Sequence, residues 1–335
     1  MSRRTVLVTG ANGFVGLHLC KWLLEAGYDV VAQTRNASSD KLNALSRIYS
    51  GLRIYRIEEI NQSTDWSGVL NEVDYIVHLA AVAHRRGKVN DSVYDEVNTQ
   101  GTIKLVKDAA ASSSVKRLIF ISTIGVHGNG ATQVVNEVSP INPQTAYAKS
   151  KYRAECFIQE YLKDKPLDWC IMRPTLIYGA GNPGNMQRLF DLVAKRIPLP
   201  FASINSRRTF LCIDNLADAI TRALGHPKAS RSVFCMADSE IVTLNELLSQ
   251  IALVLQIPLR NYKIPLGCLK MLGMAGDALA FATRKPVPFD TYSVDRMIGS
   301  LVVDNTKVRN TMEWTPPVTF PRGLQQVGKC YLKHE

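Results

Sequence analysis

An open, doubly wound α/β fold follows from three observations: a glycine-rich turn between the first apolar run and the first helical pattern, a regular alternation of such runs and patterns, and the loss of that regularity after about residue 175. The apolar runs are Thr5 to Val8, Val30 to Ala32, Leu52 to Tyr55, Tyr75 to Leu79, Leu118 to Ile121 and Trp169 to Met172. Each has the length and apolar content of a buried strand, and helical segments such as Phe14 to Ala26, closed by Gly27, and Asn98 to Ala111 separate them. This order predicts a parallel sheet covered by helices on both faces. Residues 1–175 are expected to hold the sheet. Residues 176–335 are expected to form mainly a smaller, discontinuous lobe, entered through the turn Gly179-Ala-Gly-Asn-Pro-Gly184, with some segments returning to the sheet.

At 335 residues the chain exceeds a typical domain of roughly 100 to 200 residues, and an apolar fraction of 46% supplies a substantial core. It enters a strand-like run at Thr5 where a signal peptide would carry its apolar region, so a cytoplasmic protein is expected. The seven cysteines lack a Cys-x-x-Cys spacing, and several lie inside apolar runs, as in Asp168-Trp-Cys170-Ile-Met172; they read as reduced thiols, with no metal site expected. The net charge of +11 raises nucleic acid as a partner, yet the basic residues are scattered. Only the small clusters Arg3-Arg4, Arg85-Arg86, Arg207-Arg208 and Arg284-Lys285 stand out, without an aromatic-interleaved stripe, which points to anionic small molecules and away from nucleic acid. The apolar stretch Leu266 to Thr283 is interrupted by Lys270 and Asp277, whereas a span needs about 20 predominantly apolar residues. It reads as a packed or interfacial helix, not an integral span, with peripheral membrane contact as the alternative.

Gly10, Gly13 and Gly16, in the run TGANGFVG from Thr9 to Gly16, follow the first strand and open the first helix. Such glycines allow a tight turn, close backbone approach to a pyrophosphate and close helix packing, and the helix N-terminus supplies partial positive charge. This is a Rossmann-type dinucleotide site, with Asn12, Phe14 and Val15 of the same turn as further candidate contacts. An NAD-binding fold places a carboxylate after the second strand to hold the adenine ribose. Here the sequence is Val30-Val-Ala-Gln-Thr-Arg35-Asn36, and Arg35 suits the additional 2′-phosphate of NADP(H), with NAD(H) as the alternative.

Tyr147 and Lys151, four residues apart, share one face of a helix. A free phenol with a pKa near 10 exchanges protons poorly at neutral pH, and a neighbouring ammonium and an oxidised nicotinamide would both favour its phenolate. A third group must hold the reacting oxygen. Thr123 lies just past the end of the Leu118 to Ile121 strand, where open α/β sheets bind their ligands.

Taken together, these motifs resemble the extended short-chain dehydrogenase/reductases, the group of nucleotide-sugar epimerases, dehydratases and reductases. The resemblance runs over nearly the whole chain: TGANGFVG, His78-Leu-Ala-Ala81, Asn98-Thr-Gln-Gly-Thr102, Ile121-Ser-Thr-Ile-Gly-Val-His-Gly128, Tyr147 to Lys151, Arg173-Pro-Thr-Leu-Ile-Tyr-Gly179 and Arg208 to Asp218. It implies that Leu79, Ala80 and Ala81 line the cofactor and that Asn98 supports the loop beneath its nicotinamide half. It further implies that Lys151 contacts the nicotinamide ribose and that Pro174 packs near the carboxamide. Arg208 matches the family's arginine at the sugar nucleotide's diphosphate, with Arg296 a second candidate and Asn185 at the nucleotide; Thr123 and Tyr147 would meet the sugar itself. His78 and His127 occupy no catalytic position of the family, and Asn61 stands near a place where it often has an adenine-contacting Asp.

The family's 4,6-dehydratases carry Asp-Glu directly after the catalytic Ser or Thr. Here those places are Ile124-Gly125, which cannot move protons, so dehydration is not expected. Two C4 chemistries are left: 4-ketoreduction with exchangeable NADPH, and 4-epimerisation on tightly held NAD. Arg35 favours reduction. The whole-chain pattern looks most like reductases of UDP-4-keto-6-deoxy-N-acetylhexosamines serving surface polysaccharide synthesis, bordering on UDP-glucose 4-epimerases. A UDP-sugar substrate and a homodimer are therefore expected. The alternative from another class is a non-catalytic dinucleotide-binding scaffold, although such proteins typically lose the tyrosine or lysine that this chain keeps.

Overall fold

Every apolar run singled out in the sequence forms a strand of one large sheet. In chain order the strands are β1 (Thr5–Thr9), β2 (Asp29–Thr34), β3 (Leu52–Arg56), β4 (Tyr75–His78), β5 (Arg117–Ile121), β6 (Asp168–Pro174), β7 (Leu176–Tyr178), β8 (Arg207–Cys212), β9 (Ser232–Met236) and β10 (Ile241–Thr243). The computed structural model describes residues 3–36, 39–83, 90–128, 134–182, 184–283 and 290–333; Arg85-Arg86, Arg284-Lys285 and Pro183 lie outside them. The main sheet runs β3-β2-β1-β4-β5-β6-β9, parallel throughout, and β10-β8-β7 form a second, three-stranded sheet. This is the Rossmann-like doubly wound architecture. The strand order reverses at β1, so the crevice beyond the C-terminal ends of β1 and β4 is the topological switch point where such sheets bind ligands.

The sheet is covered on both faces, which explains why its strands are continuous apolar runs without alternation. One face packs Leu19, Cys20 and Leu23 of the helix Phe14–Glu25 with Leu216, Ile220 and Ala223 of the helix Ile213–Gly225. The other packs Leu105 and Val106 of the helix Gly101–Ala111 with Ala154 and Ile158 of the helix Ala146–Tyr161. A third core gathers Tyr178, Phe190, Phe210, Leu248, Phe320 and Leu324 about the small sheet. The C-terminal half also returns to the large sheet: β9 pairs with β6, and Val308, Met312 and Trp314 enter the first core.

The helix Ala146–Tyr161 starts where Thr145 caps it, its side chain accepting from the Ala148 amide at 3.1 Å. Its inner face carries a buried carboxylate, Glu155, which accepts from Arg173 of β6 through Nε at 3.1 Å and Nη2 at 2.5 Å. His127 Nε2 lies 3.1 Å from Arg173 Nη1 and its Nδ1 lies 3.1 Å from the Ser139 and Pro140 carbonyls. With Arg173 always a donor, His127 must accept at Nε2 and donate at Nδ1. Burial and the Arg173 charge both hold its pKa below the usual imidazole value, keeping the ring neutral. Glu155→Ala leaves the Arg173 guanidinium buried without its anion, and should cost about 3–5 kcal/mol in urea denaturation, against a small effect for the exposed pair partner Glu72→Ala.

Candidate active site

The turn after β1 is fixed by contacts that only glycine permits. Gly10 has φ +67°, and a Cβ placed on it would lie 2.9 Å from the Ala80 backbone. A Cβ on Gly16 would lie 2.4 Å from the Gly10 carbonyl oxygen, so the first helix sits directly against the turn. That helix begins at Phe14, has no capping side chain and no acidic residue in its first turn. Its leading amides therefore face the crevice with their partial positive charge uncompensated, as a pyrophosphate requires. Gly10, Asn12, Gly13, Gln33, Arg35, Asn61, Leu79, Ala80 and Ala81 line one cavity of about 780 Å³, within the range of small-molecule sites. Of the remaining candidates in the turn, Val15 is half-buried and Phe14 points toward Gly179, 3.3 Å from a Cβ placed there.

The floor of this cavity hangs on Thr9. Its hydroxyl accepts from the Leu79 and Ala80 amides, both at 3.1 Å, and donates to His78 Nδ1 at 2.7 Å. Thr102 spends its own hydrogen on the Asn98 carbonyl, so His78 must donate from Nε2 to Thr102 across 2.9 Å. Full burial drives the His78 pKa to about 3, and the ring is a neutral structural link. Asn98, fully buried in a π-helical turn (Asp95–Gln100), accepts from the Val82 amide at 2.7 Å and donates to the Val82 carbonyl and to Ser150 Oγ, each at 3.0 Å. It thereby joins the loop after β4 to the helix bearing Tyr147 and Lys151.

Lys151 is 1% exposed, and its ammonium rests 4.0 Å from the centroid of the Phe120 ring. Burial lowers its pKa to about 7, partly offset by Glu155 one turn on. Burial pushes the Tyr147 phenol up, to about 12. The chain's own surroundings thus raise the phenol pKa, opposite to the lowering that proton exchange at neutral pH needs. Thr123 Oγ1 accepts from the Gly125 amide at 3.1 Å, which leaves its own hydrogen free to point elsewhere. A Cβ on Gly125 would stand 3.3 Å from Thr123 Oγ1 and 3.7 Å from Ala148 Cβ, so Thr123 lies against the start of the Tyr147 helix. Pro174 closes β6, buried beside Met236.

The profile of the NAD dependent epimerase/dehydratase family matches residues 6–236, which spans the turn, Thr123, Tyr147 and Lys151. The chain belongs to that family. A UDP-glucose 4-epimerase of Vibrio cholerae is 34% identical over 98% of this chain and 96% of its own. An N-acetyl-α-D-glucosaminyl-diphospho-ditrans,octacis-undecaprenol 4-epimerase of Escherichia coli O157:H7 is 28% identical over the same shares. Among solved structures, the UDP-N-acetylglucosamine 4-epimerase of Methanobrevibacter ruminantium shares the fold at a TM-score of 0.78 and 21% identity, each chain covered in full.

Within this family member the candidate residues fall into two groups. Gly10, Asn12, Gly13, Arg35, Leu79, Ala80 and Ala81 line the cavity; Phe14, Val15, Gly16, Thr123, Tyr147, Lys151, Pro174, Arg208 and Arg296 are not among its lining residues. Arg208 of β8 donates to the carbonyls of Arg296 and Gly299, the latter at 2.7 Å, which aims its guanidinium from the small sheet. The Arg296 guanidinium stacks 5.6 Å from the Tyr292 ring centroid, and Asn185 begins the helix Asn185–Ala194. Sequence reasoning missed Gln33, whose Oε1 accepts from the Gly10 amide at 3.0 Å while its Nε2 donates to the Ile57 carbonyl at 3.3 Å. A polar residue inside an otherwise apolar strand was the signal available.

The Lys151 shift carries a pH signature. The folded chain holds this amine near 7 against 10.5 in the unfolded state, so between those values the unfolded state binds the extra proton and stability rises with pH. Relative to Lys151→Met, the ligand-free protein should gain stability from pH 7 to pH 9 at up to about 1.4 kcal/mol per pH unit, measured by urea melts at each pH.

Proposed function

We propose that this chain reduces the C4 ketone of a UDP-4-keto-6-deoxy-N-acetylhexosamine with NADPH, in the service of surface polysaccharide synthesis. The observation that carries this reading is Arg35. It is exposed on the wall of the dinucleotide cavity at the end of β2, where Gln33 is engaged with the glycine turn and the next residue is Thr34, so no β2 carboxylate competes for the adenine ribose. A guanidinium there is matched to a 2′-phosphate. The UDP carrier is supported by the V. cholerae relative and by the M. ruminantium structure, which holds UDP-N-acetylmuramic acid.

Bound NADPH supplies the hydride. The chain supplies the proton and the alignment. Tyr147 is held protonated by burial, the form that reduction consumes, and its hydrogen passes to the C4 oxygen as the alkoxide develops. Thr123 donates the hydrogen left over from its Gly125 contact to the same oxygen, and Lys151 offers positive charge to the phenolate that results. Arg208, braced by two carbonyls, is free in its other nitrogens to bind the diphosphate.

A second reading, 4-epimerisation on retained NAD, is favoured by the names of the relatives. Supplying UDP-4-keto-6-deoxy-N-acetylglucosamine with NADPH separates the two. Stoichiometric loss of reduced-cofactor absorbance and a 6-deoxy product by NMR are expected; no consumption, with UDP-glucose or UDP-N-acetylglucosamine equilibrating with its C4 epimer, would establish the epimerase. Arg35→Ala should raise the KM for NADPH about 10- to 100-fold, the worth of a charge-assisted hydrogen bond, while leaving NADH within twofold. Tyr147→Phe should lower kcat about 10²- to 10⁴-fold with NADPH affinity kept, read by fluorescence titration.

A further inference from the structure

The helix Leu266–Thr283 is long and apolar enough to cross a membrane by length and composition, yet only 17% of it is buried against the rest of the chain. Its buried residues, Leu269, Gly273 and Gly276, recur at i, i+4 and i+7 and form a narrow strip facing the protein. The small side chains in that strip let it lie close to the helix Thr291–Ile298. A Cβ on Gly273 would stand 3.1 Å from Thr291 Cα and 3.1 Å from Val294. The remainder of the surface presents large apolar side chains to the outside, with Phe281 90%, Met271 69%, Met274 64% and Leu279 53% exposed.

Both charged residues of the helix sit on one flank. Lys270 and Asp277 are seven apart and therefore superimposed along the axis, and Asp277 is turned toward the Thr291 amide at 3.4 Å. At 100° per residue, Phe281, Met274, Ala278, Met271, Ala275 and Leu279 fill an uncharged arc on the side away from Leu269, and Lys270 stands at its edge, 20° from Phe281. Lys270 on the helix and Arg260, Lys263 and Arg296 near it in the sequence are exposed cations, set against the three carboxylates Asp277, Asp290 and Asp295, of which Asp290 accepts from the Ser293 amide at 2.8 Å. An apolar face with cations at its edge suits contact with the headgroup region of a bilayer.

We propose that this face seats the enzyme on an anionic lipid surface. A second copy of the chain fits it less well. An 18-residue helix is about 27 Å long, so a contact strip about 10 Å wide covers roughly 270 Å², about a third of the roughly 800 Å² per partner of a stable interface. A bilayer has no such minimum and receives isolated protruding side chains such as Phe281 without a matching groove. The seat also connects to the site. The helix Thr291–Ile298, on which the apolar helix rests, leads into Gly299, and the carbonyls of Arg296 and Gly299 hold Arg208.

The test is co-sedimentation of the full chain with sucrose-loaded vesicles of phosphatidylcholine containing 30% phosphatidylglycerol, against phosphatidylcholine alone, with oligomeric state followed by light scattering. The full chain should pellet with the anionic vesicles and at least tenfold less with the neutral ones. The double variant Met271→Glu, Phe281→Glu should lose at least tenfold of that partition while keeping its thermal midpoint; should its midpoint fall, Met274→Glu takes its place. Failure of the full chain to pellet with anionic vesicles would overturn the proposal, as would pelleting that the variants leave unchanged. Equal binding to neutral vesicles would overturn its anionic part, and a wild-type dimer that ignores lipid and dissociates in the variant would assign the face to a second copy. None of these readouts depends on which C4 reaction the enzyme performs.

Discussion

The site is assembled around one buried amide. Asn98 contributes a donor and an acceptor to the Val82 backbone and a further donor to Ser150, and so ties the loop that walls the dinucleotide cavity to the helix that carries Tyr147 and Lys151. No hydrophobic contact could do this, because apolar packing resists separation but sets no register. Thr99 adds a bond to the Ser150 carbonyl at 3.1 Å, and Thr102 and His78 carry the same network on to Thr9 and the glycine turn. Every polar atom in that chain has a defined role, which is the condition under which a buried network fixes one arrangement. The π-helical turn around Asn98 is where the backbone departs from regular geometry to place that side chain.

The two central groups are driven in opposite directions by the same cause. Burial disfavours charge, raising the Tyr147 pKa and lowering that of Lys151. Left to themselves both side chains drift toward neutrality. Two features keep the lysine usable: the face of Phe120 beneath its ammonium and the Glu155 carboxylate one turn away, itself matched to Arg173. A partly compensated cation costs stability and gains responsiveness. Its charge is not already consumed by a full ion pair.

The fold was legible because a parallel sheet buried on both faces must be written as short continuous apolar runs, and six of them were. β9 was less so: Ser232-Val-Phe-Cys-Met236 has the same character but lies in a stretch of turns and isolated helices where no neighbouring βαβ unit announces it. The glycine turn and the Tyr147-Lys151 spacing were legible because each needs a particular residue at a particular interval. Gln33, Thr9 and the Glu155-Arg173 pair were not, since their partners come from distant strands and a hydrogen bond between residues 23 or 18 apart leaves no local period. The direction of the Tyr147 shift was also beyond sequence, because desolvation depends on everything packed around the group.

The position of β9 bears on how the molecule comes into being. It closes the sheet from beyond residue 230, and Trp314 of the first core arrives later still, so the nucleotide-binding half cannot finish its edge or its packing while the chain is still emerging up to residue 175. Contacts so far apart in sequence are slow to form, and they leave the outer edge of β6 unpaired in the interim. A protease or a truncation acting in that interval would meet an open template for intermolecular pairing. The natural unit of folding, and of any attempt to express or dissect this protein, is therefore nearly its whole length.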